Sequence, residues 1–111
     1  MERNKIRFLP EVELLIDNLP SLLQGLGYKI NEEFADKFVD EIVDFIYNIP
    51  NLQAHEVNPA FAYHFKRYGD NLKYVFWKRG NTTWYIFFRQ IGSRILVCHI
   101  SNNWTEGQYI R

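Results

Sequence analysis

The clearest pattern of apolar and polar positions lies in the last forty residues. Three aromatic and β-branched runs, 72–79, 83–89 and 94–101, are separated by the tight-turn signals Gly80-Asn81 and Gly92-Ser93. Runs of this length and spacing predict a three-stranded antiparallel meander. Alternation places Lys73, Val75, Trp77 and Arg79 on one face of the first strand. It sets Tyr85, Phe87 and Arg89 opposite Trp84, Ile86 and Phe88 in the second, and Ile95, Val97 and His99 opposite Leu96, Cys98 and Ile100 in the third. Both faces carry apolar side chains. One is expected to take the helices, and the other to form a concave, aromatic and cationic surface.

Upstream the period changes. Ile6-Arg-Phe-Leu9 predicts a short strand with Ile6 and Phe8 on one face. Pro10 then suits the first residue of a helix, with Glu11 and Glu13 in its first turn and Val12, Leu15, Ile16 and Leu19 at helical spacing. Pro20 interrupts that helix, Ser21–Gln24 offers another turn, and Gly25 and Gly27 end it. Asn31 is a good N-cap, followed by Glu32 and Glu33 and by an apolar stripe of Phe34, Phe38, Ile42, Phe45, Ile46 and Ile49 that Pro50 stops. Asp36, Asp40, Glu41 and Asp44 lie mostly off the stripe and read as solvated surface. Residues 51–71 show neither period cleanly. His55–Val57 and Phe61–Phe65 are candidate short strands in what reads mainly as loop, before the Gly69-Asp70-Asn71 turn signal.

Together these elements predict one α+β domain over residues 1–111: a short N-terminal strand, two helices, then a C-terminal antiparallel three-stranded meander. The length suits one domain, and 47% apolar with 17% aromatic residues suits a core dominated by large rings. The single cysteine, Cys98, cannot form an internal disulfide and reads as a small buried hydrophobe, which fits a reducing, cytoplasmic setting. No apolar run approaches the roughly 20 residues a membrane helix needs.

The net charge of zero hides a division. Residues 1–60 hold 5 Lys/Arg and 11 Asp/Glu and sum to −6, whereas residues 61–111 hold 8 and 2 and sum to +6. A basic half suggests a polyanion or an acidic partner. The alternative is that acids favour the helices and the sheet holds the balance.

The order strand, helix, helix, meander, opening with Ile6-Arg-Phe-Leu-Pro-Glu11, resembles the RelE/ParE toxin superfamily. Trp84-Tyr-Ile-Phe-Phe88, Ile95-Leu-Val-Cys-His-Ile100 and the closing stretch Ser101 to Ile110 extend the likeness over nearly the whole chain. The resemblance implies the toxin of a type II toxin–antitoxin system, neutralised by a cognate antitoxin. RelE-like members cut mRNA on the ribosome, and ParE-like members inhibit DNA gyrase. By position, Lys78 or Arg79 falls where the first sheet strand supplies an Arg, and Tyr109 where the C-terminal segment supplies a Tyr. Asn102-Asn103 stands where a further Arg is expected, which favours the ParE-like reading.

RNA cleavage through the 2′-hydroxyl needs a base, cations on the phosphate and an acid for the leaving 5′ oxygen. Arg79 and Arg89 are the candidates for the phosphate, because a guanidinium fork matches phosphate oxygens and stays charged. Lys73, Lys78 and Arg94 are candidates for neutralising the nucleic-acid backbone, and His99 and Tyr109 for proton transfer. Each has a plainer reading: Arg79 and Arg89 as solvated strand-end charges, His99 as a hydrogen-bonded structural histidine, Tyr109 as packing for the tail. His55 and His64 lie nine apart with no cysteine near, so no zinc site is expected, and with no Gly-rich phosphate loop in the sequence no cofactor is expected either. Three readings remain: ribosome-dependent mRNA endonuclease, ParE-like gyrase inhibitor, and non-toxic binding module of the same fold or an unrelated small α+β module. A partly disordered acidic antitoxin segment, added as a strand or helix, is the expected partner.

Overall fold

The computed structural model describes residues 5–25, 32–105 and 110. The expected Gly27 helix end, the Asn31 cap and Tyr109 lie outside them. The chain is α+β. β1 (Ile6–Phe8), α1 (Pro10–Asp17), α2 (Leu19–Gly25) and α3 (Glu32–Tyr47) precede β2 (His55–Glu56), β3 (Lys73–Arg79), β4 (Thr82–Ile91) and β5 (Arg94–Asn102). Two 3₁₀ segments, Ile49–Asn51 and Pro59–Tyr68, flank β2.

The sheet has five strands rather than three, in the order β1-β5-β4-β3-β2. β3, β4 and β5 are antiparallel neighbours at its centre. β1 adds to β5 in parallel, with Ile6 opposite Ile95 and Phe8 opposite Val97, which makes the sheet mixed. β2 pairs with only the first two residues of β3.

Pro20 starts a helix instead of merely breaking one. It is the second residue of α2, where no intrahelical N–H is required. α1 ends at Asp17 and is capped by Asn18, whose Nδ2 donates to the Leu14 carbonyl at 2.8 Å. The α3 stripe then docks on the sheet: Phe38, Ile42, Ile46 and Ile49 meet Val75, Trp84, Ile86, Phe88, Val97 and Ile100 in the main core. Phe38 sits edge-on to both Trp77 (centroids 5.4 Å) and Trp84 (5.7 Å).

The opposite face is not an open cationic surface. Phe65 and Tyr68 of the long 3₁₀ segment, with Leu72 and Ile110, close over Tyr85, Phe87 and Cys98 in a second core. Phe61–Phe65, a candidate strand, lies inside this segment. Pro59 opens it, and Asn58 caps it by accepting from the Ala60 N–H at 2.9 Å. A 3₁₀ helix eclipses positions i and i+3, so Phe65 and Tyr68 share one row while Tyr63, Lys66 and Gly69 share another. That three-residue period matches neither the helical nor the strand template, which is why the sequence reads there as loop.

The third strand departs from simple alternation. Phe87 pairs with His99 but Phe88 pairs with Val97, so Cys98 is an extra residue, a β-bulge. The bulge puts His99 on the same side as Cys98, in ring contact with Tyr68 and Phe87, and returns Ile100 to the helical side. The expected grouping of His99 with Ile95 and Val97 is therefore corrected.

Candidate functional site

The sheet register separates the candidate cations. Arg79 pairs with Thr82 at one end of β4, while Arg89 pairs with Leu96 toward the other end. Arg89 lies seven residue steps along β4 from Thr82, roughly 23 Å at ~3.3 Å per residue. The two side chains also lie on opposite faces. Lys78 neighbours Arg79 in sequence and is exposed; Lys73, opposite Phe88, and Arg94, opposite Ile91, sit near the Arg89 end. No single phosphate spans Arg79 and Arg89.

Arg79 is neither a solvated turn residue nor, on its contacts, a phosphate ligand. It forms an ion pair with Glu41 of α3, and its guanidinium lies 5.4 Å from the Phe34 ring centroid and 5.1 Å from that of Phe38. Glu41, expected on the solvated side of the helix, is half-buried by this pairing. Arg79 thus ties α3 to the end of β3.

A different cluster forms on the face under the long 3₁₀ segment. The His99 ring stacks on Tyr68 with centroids 4.7 Å apart, and the Tyr68 hydroxyl is 3.0 Å from His99 Nδ1. Arg67 Nη2 donates to the same hydroxyl, and its guanidinium lies 4.7 Å from the Tyr68 ring centroid. Arg89 approaches from β4: a Cβ built on Gly69 would lie 3.0 Å from Arg89 Nε and 3.1 Å from Cζ. Arg67, Tyr68 and His99 therefore meet at the Tyr68 hydroxyl, and Arg89 reaches the next residue of the chain, Gly69, from β4. Tyr68 and Arg67 escaped the sequence reading; the only signal for them is the Lys66-Arg67-Tyr68 run before Gly69, which carries no periodicity to aim it.

Gly69 holds this arrangement by having no side chain. Its φ of 98° lies in the left-handed region, and Arg89 occupies the space a Cβ would need. Gly69→Ala is expected to lose about 1–3 kcal/mol of stability and to move the Arg89 guanidinium. Gly92→Ala, at φ 62° with nothing near its Cβ, also places a side chain at positive φ but leaves Arg89 in place. Urea midpoints should fall for both variants, and any loss of activity should follow Gly69 alone.

Cys98 lies beside the cluster without joining it. Burial pushes its thiol above the ordinary range, opposed by the Arg89 charge and the Arg89 backbone N–H, and reinforced weakly by Glu11. The thiol donates to the Leu96 carbonyl at 3.4 Å. It is a buried side chain kept protonated, not a nucleophile.

Asn102 and Asn103 have structural work. Asn102 Oδ1 accepts from the backbone N–H groups of Trp104 (2.9 Å) and Thr105 (3.2 Å), and Asn103 Oδ1 accepts from the Thr83 N–H at 2.8 Å. They shape the turn that leaves β5, so asparagine at these positions is explained without reference to a target. Tyr109 lies outside the described residues. Among the described residues no group of His, Cys, Asp or Glu gathers as a metal site requires, and no helix is long and apolar enough to cross a membrane.

The fold and site define an α+β protein with a five-stranded mixed sheet and an Arg/Tyr/His cluster on the face away from its helices. No family model, curated protein or solved structure matches the chain.

Proposed function

We propose that the chain is the toxin of a type II toxin–antitoxin system and acts as a ribosome-dependent mRNA endonuclease of the RelE kind. The observation that carries this reading is the contact of Arg67, Tyr68 and His99 at the Tyr68 hydroxyl, 3.0 Å from His99 Nδ1, with Arg89 packed against the adjoining Gly69. These are the group types that cleavage through the 2′-hydroxyl needs, brought together from three separate stretches of chain. The sequence resemblance supplies the biological setting.

In this reading His99 takes the 2′-hydroxyl proton as that oxygen attacks the neighbouring phosphorus. Tyr68, stacked on the ring and bonded to Nδ1, sets the tilt and tautomer of the imidazole. Arg89 and Arg67 stabilise the charge that grows on the phosphate oxygens, through forked N–H donors that stay charged at every accessible pH. The bond from phosphorus to the 5′ oxygen then breaks, and that oxygen takes a proton from an acid, for which Tyr109, the other sequence candidate for proton transfer, is proposed. Arg79 drops out of the catalytic set and becomes a strut between α3 and β3. Arg94, at the Arg89 end of the sheet and on the Arg89 face, remains a candidate for a flanking phosphate; Lys73 shares that end but starts from the other face of β3, and Lys78 is not a candidate. A cognate antitoxin with an acidic segment would neutralise the same basic cluster.

A ParE-like inhibitor of DNA gyrase is the second reading, and one observation favours it: Lys78 and Arg79 stand at the far end of the sheet from the cluster. Dispersed cations suit a protein-binding surface better than a phosphodiester site. Purified chain added to a cell-free translation system decides between them. Message cut only when ribosomes are present is the expected result. Intact message together with blocked supercoiling by gyrase would replace the first reading by the second.

A further inference from the structure

A concavity opens beside the long 3₁₀ segment. It encloses about 760 Å³ and is lined by Tyr63, Lys66, Gly69, Asp70, Asn71, Lys73 and Gln90, among others. Its volume falls within the ~300–1,000 Å³ common for small-ligand clefts. Gly69 belongs to both this hollow and the Arg89 cluster, so the two are contiguous.

Tyr63 is the unusual member. Its side chain is large and flat, yet it is 87% exposed, the most exposed of the large apolar side chains among the described residues. The three-residue period places Tyr63 and Lys66 in one row, and Lys66 Nζ lies 6.0 Å from the Tyr63 ring centroid. The ring contributes to neither core. An aromatic platform with a cation above it, beside a hollow rich in hydrogen-bonding groups, is the arrangement that captures unstacked bases of single-stranded RNA.

The charges narrow the ligand further. Lys66 and Lys73 are matched by Glu56 and Asp70 on the same walls. A balanced hollow is a poor track for consecutive phosphates, which would meet two carboxylates. It suits one base, whose edge offers donors to Asp70 or Glu56 and acceptors to Asn71 or Gln90 while its face lies on Tyr63.

We propose that this hollow is a nucleobase-binding subsite for single-stranded RNA, which seats a base beside the bond cut at the His99–Arg89 cluster. The inference rests on the nuclease reading for its ligand and on Tyr63 and the hollow for its place. The test measures binding of the full chain to a short, fluorescein-labelled single-stranded RNA carrying 2′-O-methyl groups, which block cleavage, and to the same sequence as a duplex. Tyr63→Ala should weaken single-strand binding by roughly 5- to 150-fold, the equivalent of a lost base–aromatic stack. Tyr63→Trp should restore it, and duplex binding should not change. The exposure of Tyr63 means that the variant keeps its fold, which circular dichroism checks. Equal binding by the native chain and Tyr63→Ala overturns the subsite, as does a native chain that fails to hold the single strand. The nuclease reading is judged separately, by cutting on ribosomes: cutting that survives Tyr63→Ala unchanged in rate and position overturns the subsite and leaves that reading standing.

Discussion

His99→Ala is expected to lower ribosome-dependent cleavage by on the order of 10²–10⁴-fold, the usual contribution of a positioned general base. The argument starts from the bulge at Cys98. Without that extra residue, His99 would share the face of Ile95 and Val97 and meet the main core. With it, the imidazole lies against Tyr68 and Phe87, its Nδ1 3.0 Å from the Tyr68 hydroxyl. Arg89→Ala should fall by a comparable ~10²–10³-fold, the measure of one lost donor to a developing anion. Arg79→Ala is the informative contrast. It should cost about 1–2 kcal/mol by removing the Glu41 ion pair and the contacts with Phe34 and Phe38, and it should still cut. The ion pair is itself only a small part of that figure, because both partners are partly solvated. Rates of message cleavage at matched protein concentration, with urea midpoints for each variant, give the comparison. Full cutting by His99→Ala combined with none by Arg79→Ala would move the site to the other end of the sheet.

The largest expected effect on stability belongs to Phe38→Ala, about 3–5 kcal/mol. Phe38 has no exposed surface and fills the angle between Trp77 and Trp84, so its ring joins α3 to both β3 and β4. Truncation removes the transfer energy of the ring and leaves a cavity that two indoles cannot close without breaking their own contacts. Thermal melting should show a fall on the order of 15 °C or more, taking ~4–8 °C per kcal/mol for a domain near this size. A melting point within a few degrees of native would mean that α3 is held mainly by Ile42 and Ile46.

The elements that could be read directly from the chain are those whose pattern is local. The α3 stripe from Phe34 to Ile49 repeats at helical spacing, and its inner members are the buried ones. The strands around Val75, Ile86 and Val97 announced themselves by β-branched and aromatic runs between Gly-containing turns. The N-terminal Ile6–Phe8 strand was legible too, but not its partner. Parallel pairing with β5 joins residues about ninety apart in the chain, and no local signal encodes such a contact. The candidate site was legible only in part. Arg89 and His99 could be named from residue type and strand position, whereas Arg67 and Tyr68 sat in a stretch of no readable period. Arg79 looked equivalent to Arg89 because alternation gives a face but not a position along the strand.

By itself, then, the sequence determined the α+β class, the helix that caps the main core and the three central strands. It did so because 3.6-residue and two-residue periods set which side chains face inward. Tertiary structure alone decided that the sheet has five strands, that its second face is covered, and that His99 lies with Tyr68 while Arg79 lies with Glu41. Those outcomes depend on one inserted residue at Cys98, on a 3₁₀ segment with its own period, and on strand register. Each is fixed by packing between distant parts of the chain, where the free energy of the whole fold, and not the preference of any short segment, selects the arrangement.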